Sequence, residues 1–295
     1  MDDNLQRLQA MELEMAKVLL TVCEKYNLKI WADSGTLLGA VRHKGFIPWD
    51  DDMDFVMFRD DYDRLKEIAV NVKLPEPYFF EIRQTLIRIK HRGTTMFATN
   101  VKYPNDRGEG NGGDIWLDII CIDKLPPIND DYKRKWARAR DYDRVSNNKN
   151  SMCFAQLKGV SSKMWHLACL FCNTKKREIK IDEFCKQYRN VDCDIVSKPA
   201  LYLRMAKFKD AGKMHMFNRH WWDETVYLPF NGIEMPCPSN YDAVLKSMYG
   251  NNYMTPIQAD SVHGNVVIDL DRPYQEVVKE MLSKVPWWKR FLYKY

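Results

Sequence analysis

A run of aspartates directly in front of an apolar segment restricts the chemistry of this chain more than any other pattern in it. Asp50, Asp51, Asp52 and Asp54 lie within five residues, and Met53 to Phe58 is predicted to form a strand. Because side chains alternate between the two faces of a strand, Asp52 and Asp54 are expected on the same face. Crowded carboxylates repel one another, and their oxygens are the ligands that Mg²⁺ or Mn²⁺ prefers. The pattern predicts a divalent-metal site, and the alternative is a solvated acidic turn or a helix N-cap.

A glycine turn and a basic triplet precede the aspartates. Ser34, Gly35 and Thr36 follow a short predicted strand and open a short predicted helix. Small residues at a helix start let the backbone N–H groups approach a phosphate. Arg42 and Lys44 are candidate phosphate ligands, since an arginine can bind two phosphate oxygens at once. The alternative for these basic residues is a solvated turn.

Two further charged residues lie in predicted apolar strands. Asp118 is the internal charge of the strand predicted over 115–122, and an acid there is costly unless it has a partner or a function. The alternative is a buried aspartate bonded to the backbone. Lys90 lies on a predicted central strand, where it would neutralise a bound phosphate. The alternative is a surface lysine on an edge strand.

Periodicity predicts the remaining elements. Apolar residues at three- and four-residue steps predict a helix over 3–26. Asn231-Gly232 predicts a hairpin over 226–237. Separate strands are predicted over 86–90 and 95–98. Further helices are predicted over 130–147, 161–173, 178–190, 196–205 and 241–248.

The stretch from Ser34 to Arg42, followed by Gly45 to Asp54, resembles the LicD family. That family includes bacterial phosphocholine transferases and is related to the fukutin-type ribitol-phosphate transferases. Weaker similarity covers Ile89–Lys90, Trp116–Ile120, Met235–Pro238 and Tyr249–Pro256.

The resemblance implies an α+β fold, a nucleotidyltransferase-like mixed β-sheet flanked by helices, with a mainly helical insertion or second subdomain. Residues 1–125 are expected to form the catalytic core. Residues 126–225 are expected to form a mainly helical, candidate acceptor-binding region, which the resemblance covers poorly. Residues 226–295 would complete the LicD-like domain and end in an aromatic and basic tail.

The resemblance also implies an activity. The family transfers a phosphorylated small alcohol, phosphocholine or an alditol phosphate, from a CDP-linked donor to a hydroxyl of a glycan or lipid-linked glycan, and CMP is released. Asp52 and Asp54 match its metal-binding pair, and Asp118 matches its third carboxylate, a metal ligand or a base for the acceptor hydroxyl. Asp50 fits the motif and is expected to orient the loop or Arg42. Two other functions stay open: a nucleotidyltransferase that adds NMP to a small molecule or protein, and a non-catalytic nucleotide- or glycan-binding module.

Charge and composition limit the kinds of binding partner and the cellular location that are expected. The net charge is +5, with 45 Lys and Arg against 40 Asp and Glu, and the basic residues form no long run. Without a zinc-finger or basic-zipper motif, no nucleic-acid partner is expected. The first residues do not resemble a secretory signal, so the eight cysteines are expected to be reduced. A cytoplasmic location follows, with the inner face of the cytoplasmic membrane as the alternative.

The C-terminal tail, residues 285–295, mixes aromatic and basic residues. Trp287 and Trp288 stand beside Lys289 and Arg290. Such a mixture suits peripheral contact with a membrane, and the alternative is a tail that docks on its own domain.

A second weak pattern is the spacing of His166, Cys169 and Cys172 on a predicted helix. It suits either a zinc site or buried small side chains, and cysteines are commonly buried as small hydrophobic residues.

Overall fold

The computed structural model describes residues 3–83, 85–98, 112–151, 159–205, 207, 209–257 and 266–293. The helices are α1 Asp3–Lys25, α2 Ser34–His43, α3 Arg59–Asn71, α4 Asp130–Ser151, α5 Val160–Leu170, α6 Thr174–Lys186, α7 Pro199–Arg204, α8 Tyr241–Tyr249 and α9 Tyr274–Ser283. The strands are β1 Trp31–Ala32, β2 Asp54–Phe58, β3 Tyr78–Arg83, β4 Leu86–Ala98, β5 Gly112–Lys124, β6 Ile195–Ser197, β7 Phe217–Asn218, β8 Thr225–Phe230, β9 Ile233–Pro238 and β10 Val266–Asp269. Short 3₁₀ segments include Trp287–Tyr293. The helix predicted over 3–26 and the hairpin around Asn231-Gly232 are both present.

The main sheet has the strand order β1-β2-β5-β4-β10. Strands β2 and β5 run parallel, whereas the other neighbours along this path run antiparallel. Strand β3 also pairs with β4, and β6 connects the end of β5 to β7. Helices α1 and α3 pack on this sheet. A mixed sheet with packed helices agrees with the α+β class, and its nucleotidyltransferase-like character stays a prediction.

Strand β4 differs from the sequence prediction, because one strand replaces the two expected over 86–90 and 95–98. Its register against β5 shifts between His91 and Met96. Gly93 lies in this irregular part with φ of +86°, a conformation that glycine adopts without steric cost. The chain therefore bends within the sheet and does not leave it.

The helical region is anchored to the sheet by a buried ion pair. Arg59 of α3 donates from Nε and Nη2 to the two carboxylate oxygens of Asp123, at 2.7 and 2.8 Å. Its Nη1 also donates to Asp182 of α6 at 3.1 Å. All three side chains are almost fully buried, and paired charged hydrogen bonds of this geometry are strong and directional. Helices α3 and α6 are thus fixed to the end of β5.

Among the described residues, apolar side chains form one large cluster around the sheet, a smaller one among the helices, and a third of four buried residues where Phe97 of β4 meets α9. The smaller cluster lies within residues 125–214 and includes Tyr132, Trp136, Ile181 and Tyr202. The helix predicted over 196–205 begins at Pro199, after β6, since proline is favoured in the first turn of a helix. The division at 125 and 225 stays a prediction. No helix in the described ranges is both long and apolar enough to cross a membrane.

Candidate active site

The turn before β2 gathers the acidic residues. The N–H of Asp50 donates to the carbonyl of Ile47 at 3.0 Å and closes a tight turn. Carboxylate oxygens of Asp50, Asp51 and Asp52 all lie within 4.8 Å of one another. We call these three residues, with Asp54, the acidic cluster. Strand β2 begins at Asp54, so the strand alternation used to pair Asp52 with Asp54 does not extend to Asp52.

Asp54 lies at the start of β2, directly beside Asp118 of β5. The two are register partners on adjacent parallel strands, so their side chains project from the same face. The N–H of Asp54 donates to Thr36 Oγ1 at 2.9 Å, and its carbonyl accepts from the N–H of Asp33 at 3.0 Å. The start of β2 is thereby fastened to the start of α2.

Burial raises the pKa of Asp54 well above its usual range, and the charges of Asp52 and Asp118 raise it further. These carboxylates therefore share one electrostatic environment. Without a compensating positive charge, their mutual repulsion disfavours the ionised state.

A polar row continues from Asp118 across the sheet. Arg88 of β4 is the register partner of Asp118 and donates from Nε to its Oδ1 at 2.6 Å. The Arg88 guanidinium lies 4.3 Å from the centre of the Trp116 ring, and Glu81 of β3 is its neighbour on the other side. Asp118 is therefore oriented by a buried arginine and is not a backbone-bonded aspartate.

Residues Ser34, Gly35 and Thr36 form the first turn of α2. Helical hydrogen bonding starts with the N–H of Leu37, which donates to the Asp33 carbonyl at 3.0 Å. The preceding N–H groups lie outside the helical ladder, as at any helix start. A Cβ on Gly35 would lie 2.5 Å from Asp50 Oδ2, so the missing side chain lets Asp50 pack against this turn. The predicted phosphate-binding role of the turn stays a prediction.

The three candidate basic residues occupy different surroundings. Arg42 donates from Nη1 to the carbonyl of Tyr253 at 2.9 Å and interacts electrostatically with Asp50. Lys44 is the C-cap residue that follows α2, and it is exposed. Lys90 is 4% exposed and lies 3.7 Å from Glu81, so it is a buried lysine on an inner strand and not a surface residue. Burial lowers the pKa of Lys90.

Sequence reasoning missed three residues at this site. Lys198, which directly precedes α7, donates from Nζ to Asp33 Oδ2 at 2.5 Å, and both side chains are buried. Burial, followed by the charges of Asp33 and Asp54, raises the pKa of the Tyr249 hydroxyl. Arg88 could have been predicted from the sequence, because it is a charged residue inside an apolar strand. The same reasoning singled out Asp118. Lys198 had no comparable local signal.

The acidic cluster fits a divalent cation. Its ligand atoms are carboxylate oxygens, which suit hard ions such as Mg²⁺ or Mn²⁺ better than zinc. The pKa of Asp54 is raised first by burial and then by the charges of Asp52 and Asp118, and a bound cation would oppose both effects. The choice between Mg²⁺ and Mn²⁺ stays a prediction.

The alternative zinc pattern receives no support from geometry. His166 and Cys169 are buried in α5. Cys172 donates through Sγ to the Ala168 carbonyl at 3.6 Å. Within the described residues, these side chains do not converge as the aspartates do.

A separate cavity of about 350 Å³ lies at the opposite end of β2 and β5. Phe58, Arg59, Ile122 and Trp222 are among its lining residues. The lining includes none of the candidate site residues, so this cavity is not the site of the predicted chemistry.

Comparison with known proteins gives a family match over the same region. Residues 27–117 match the LicD/FKTN/FKRP nucleotidyltransferase domain. The matched stretch includes α2, the acidic cluster and Lys90, and it ends one residue before Asp118.

Individual relatives point the same way. The chain is 24% identical over 256 residues to the lipopolysaccharide cholinephosphotransferase LicD of Haemophilus influenzae, covering 81% of this chain and 87% of that protein. It is 34% identical over 55 residues to the human ribitol 5-phosphate transferase FKRP, covering 19% of this chain and 11% of that protein. An uncharacterised protein of Rickettsia typhi is 46% identical over 67 residues, 23% of this chain and 18% of that protein.

The mixed sheet and the carboxylates at its edge lie in a chain that is similar to phosphotransferases of the LicD and FKRP type. The relatives differ in the group that their names say they transfer. The similarity to the LicD/FKTN/FKRP domain covers residues 27–117 of this chain.

Proposed function

We propose that the protein transfers a phosphorylated small alcohol, phosphocholine or an alditol phosphate, from a CDP-linked donor to a hydroxyl of a cell-surface glycan. The observation that carries the proposal is the meeting of Asp54 and Asp118 on adjacent strands beside the other aspartates of the acidic cluster. The names of two relatives, a lipopolysaccharide cholinephosphotransferase and a ribitol 5-phosphate transferase, support this class of transferred group.

The proposed reaction is a displacement at phosphorus. The acceptor oxygen forms a bond to the phosphorus that carries the alcohol, and the bond from that phosphorus to the bridging oxygen breaks. The bridging oxygen keeps the electron pair and leaves as part of CMP, while the hydroxyl proton passes to the Asp118 carboxylate. Arg88 holds that carboxylate in place through the 2.6 Å hydrogen bond. Most of the rate would come from positioning and charge stabilisation.

The cation would be Mg²⁺ or Mn²⁺, held by Asp52 and Asp54 with Asp118 as the third carboxylate. When bound, such an ion neutralises charge on the donor diphosphate. The proposed nucleotidyltransferase-like fold would present the diphosphate to this edge of the sheet.

Residues around the acidic cluster would bind the donor phosphates. The start of α2, with Ser34, Gly35 and Thr36, would offer backbone N–H groups. Arg42 keeps Nη2 without a hydrogen bond to the described residues, and exposed Lys44 adds a second charge. Asp50 would orient this turn, and Lys90 would supply positive charge from within the sheet. The helical region 126–225 would carry the acceptor site, since Lys198 brings it to Asp33.

The proposed acceptors place the protein at the inner face of the cytoplasmic membrane, and the tail supports such contact. Trp287 is 80% and Trp288 is 55% exposed, and Lys289 lies beside the Trp288 ring. Exposed indoles beside basic side chains suit the interface of an anionic membrane.

The experiment that tests the function offers the protein CDP-choline, CDP-ribitol or CTP, with lipopolysaccharide as acceptor and Mg²⁺ or Mn²⁺ present. Release of CMP from a CDP-linked donor, with labelling of the acceptor, is the expected result. Release of pyrophosphate from CTP would instead favour NMP transfer. Failure to turn over any donor would favour a non-catalytic binding module.

Variants locate the activity. Asp52→Ala and Asp54→Asn should reduce turnover to background. Asp130→Ala, at an 88% exposed position at the start of α4, is the matched control and should act as the wild type. Wild-type turnover by a folded, metal-supplied Asp52→Ala protein would show that the site is assigned wrongly.

A further inference from the structure

We propose that Glu12 of α1 is a further carboxylate of the cation site and balances part of the ion's charge from the α1 side. This inference rests on the proposed function, because the cation is the one assigned to the acidic cluster. Glu12 lies about forty residues before the aspartates and outside the residues that the family model matches.

The first observation is that Glu12 is buried without a partner. Its side chain is 0% exposed. Among the residues that the structure describes, neither of its carboxylate oxygens has a hydrogen-bond partner. A buried polar group without a hydrogen bond is rare in a native protein and costs free energy. A missing positive partner would account for it.

The second observation is where Glu12 lies. One turn earlier on α1, Gln9 Nε2 donates to the carbonyls of Ile47 and Asp50, at 3.3 and 2.9 Å. Residues three apart share a face of a helix, so Glu12 projects toward the same turn. The charged groups that act most strongly on Glu12 are four aspartates: Asp50, Asp51, Asp52 and Asp54.

The third observation is the contrast with other buried carboxylates of the chain. Asp33 pairs with Lys198, and Asp123 pairs with Arg59. Asp182 also contacts Arg59. Each of these acids has a cationic side chain within 3.1 Å, whereas Glu12 faces carboxylates. A divalent ion in the acidic cluster would supply the positive charge that Lys and Arg supply elsewhere.

The test compares Glu12→Gln with Glu14→Gln, an exposed position on the same helix that pairs with Lys17. Mn²⁺ binding is followed by the electron paramagnetic resonance of free Mn²⁺, and thermal unfolding is recorded with and without the ion. Glu12→Gln should weaken Mn²⁺ binding about tenfold or more and raise the Tm of the metal-free protein, because it removes a carboxyl group whose ionised form is disfavoured by burial and by the neighbouring aspartates. Glu14→Gln should match the wild type in both.

Mn²⁺ binding by Glu12→Gln at wild-type affinity would overturn the inference. If that variant does not fold, Glu12→Asp replaces it. This substitution shortens the side chain by one methylene, and an unchanged Mn²⁺ affinity would equally overturn the inference. The proposed function fails separately: a wild-type protein that neither binds Mn²⁺ nor turns over a donor would refute both. A wild type that does both, with Glu12→Gln unchanged, refutes only the role of Glu12.

Discussion

Lys198 and Asp33 are 165 positions apart in the sequence, yet Lys198 Nζ lies 2.5 Å from Asp33 Oδ2. Their side chains are 2% and 3% exposed. Asp33 directly precedes α2, and Lys198 directly precedes α7. This buried pair therefore connects the helical region to the start of the turn that packs against the acidic cluster.

Removing the lysine should destabilise the protein. Lys198→Met leaves the Asp33 carboxylate buried without its cation, a change that lowers the free energy of unfolding by about 3–5 kcal/mol. Urea unfolding measures this difference. Lys246→Met is the matched control, because the Lys246–Asp242 pair is about half exposed, and its loss should change the stability far less. Equal effects of the two substitutions would contradict the role given to the buried pair.

Thr36 should matter through its hydroxyl group. Its side chain is buried, and Oγ1 accepts the N–H of Asp54. Thr36→Val keeps the shape but leaves that N–H without an acceptor, which should cost about 1–3 kcal/mol of stability. Thr36→Ser keeps the hydroxyl and should recover most of it. Chemical denaturation compares the two, and identical stabilities would exclude a contribution from this hydrogen bond.

Gly35 should not tolerate a side chain. A Cβ there would approach Asp50 Oδ2 to 2.5 Å, so Asp50 must move. Gly35→Ala should weaken Mn²⁺ binding about tenfold, measured by titration calorimetry. Gly212→Ala is the control, because its Cβ would meet nothing closer than 3.6 Å. Wild-type affinity in Gly35→Ala would mean that Asp50 does not depend on this contact.

Arg88 is predicted to act as a positioning residue for Asp118. Arg88→Lys keeps the charge but loses the planar guanidinium that bonds Asp118 Oδ1 and lies over Trp116. We expect kcat to fall about 10- to 100-fold with little change in the KM of the donor. A purely structural role would instead lower the Tm and leave kcat per folded molecule unchanged. Steady-state kinetics with a melting curve separates these outcomes.

The tail should bind anionic vesicles. Wild-type protein is expected to sediment with vesicles that contain phosphatidylglycerol, and the double variant Trp287→Ala, Trp288→Ala should lose most of this binding, since the exposed indoles supply the interfacial contact. Tyr227→Ala removes an exposed aromatic ring elsewhere, on β8, and serves as the control. Equal sedimentation of all three proteins would rule out the tail as a membrane contact.

Local patterns predicted much of the secondary structure. Helix α1, the β8–β9 hairpin and the strand carrying Asp118 follow from periodicity and from Asn231-Gly232. The start of β2 and the continuity of β4 were harder to predict from the sequence, because they depend on a turn and on a bulge around Gly93. Helix α7 starts late for a local reason, the proline at its first turn.

The sequence alone determined the chemistry offered by residues 31–58: a glycine turn, basic residues and crowded carboxylates, all close along the chain. It also singled out Asp118 as an unusual acid. Only the tertiary structure decided which distant residues join them. Asp118 lies beside Asp54 because β5 pairs with β2. Lys198, just before α7, Arg88 on β4 and Glu12 on α1 are brought near these acids from distant parts of the chain. Local sequence patterns do not predict these contacts, because strand pairing and helix packing depend on the apolar surface that is buried across the whole core.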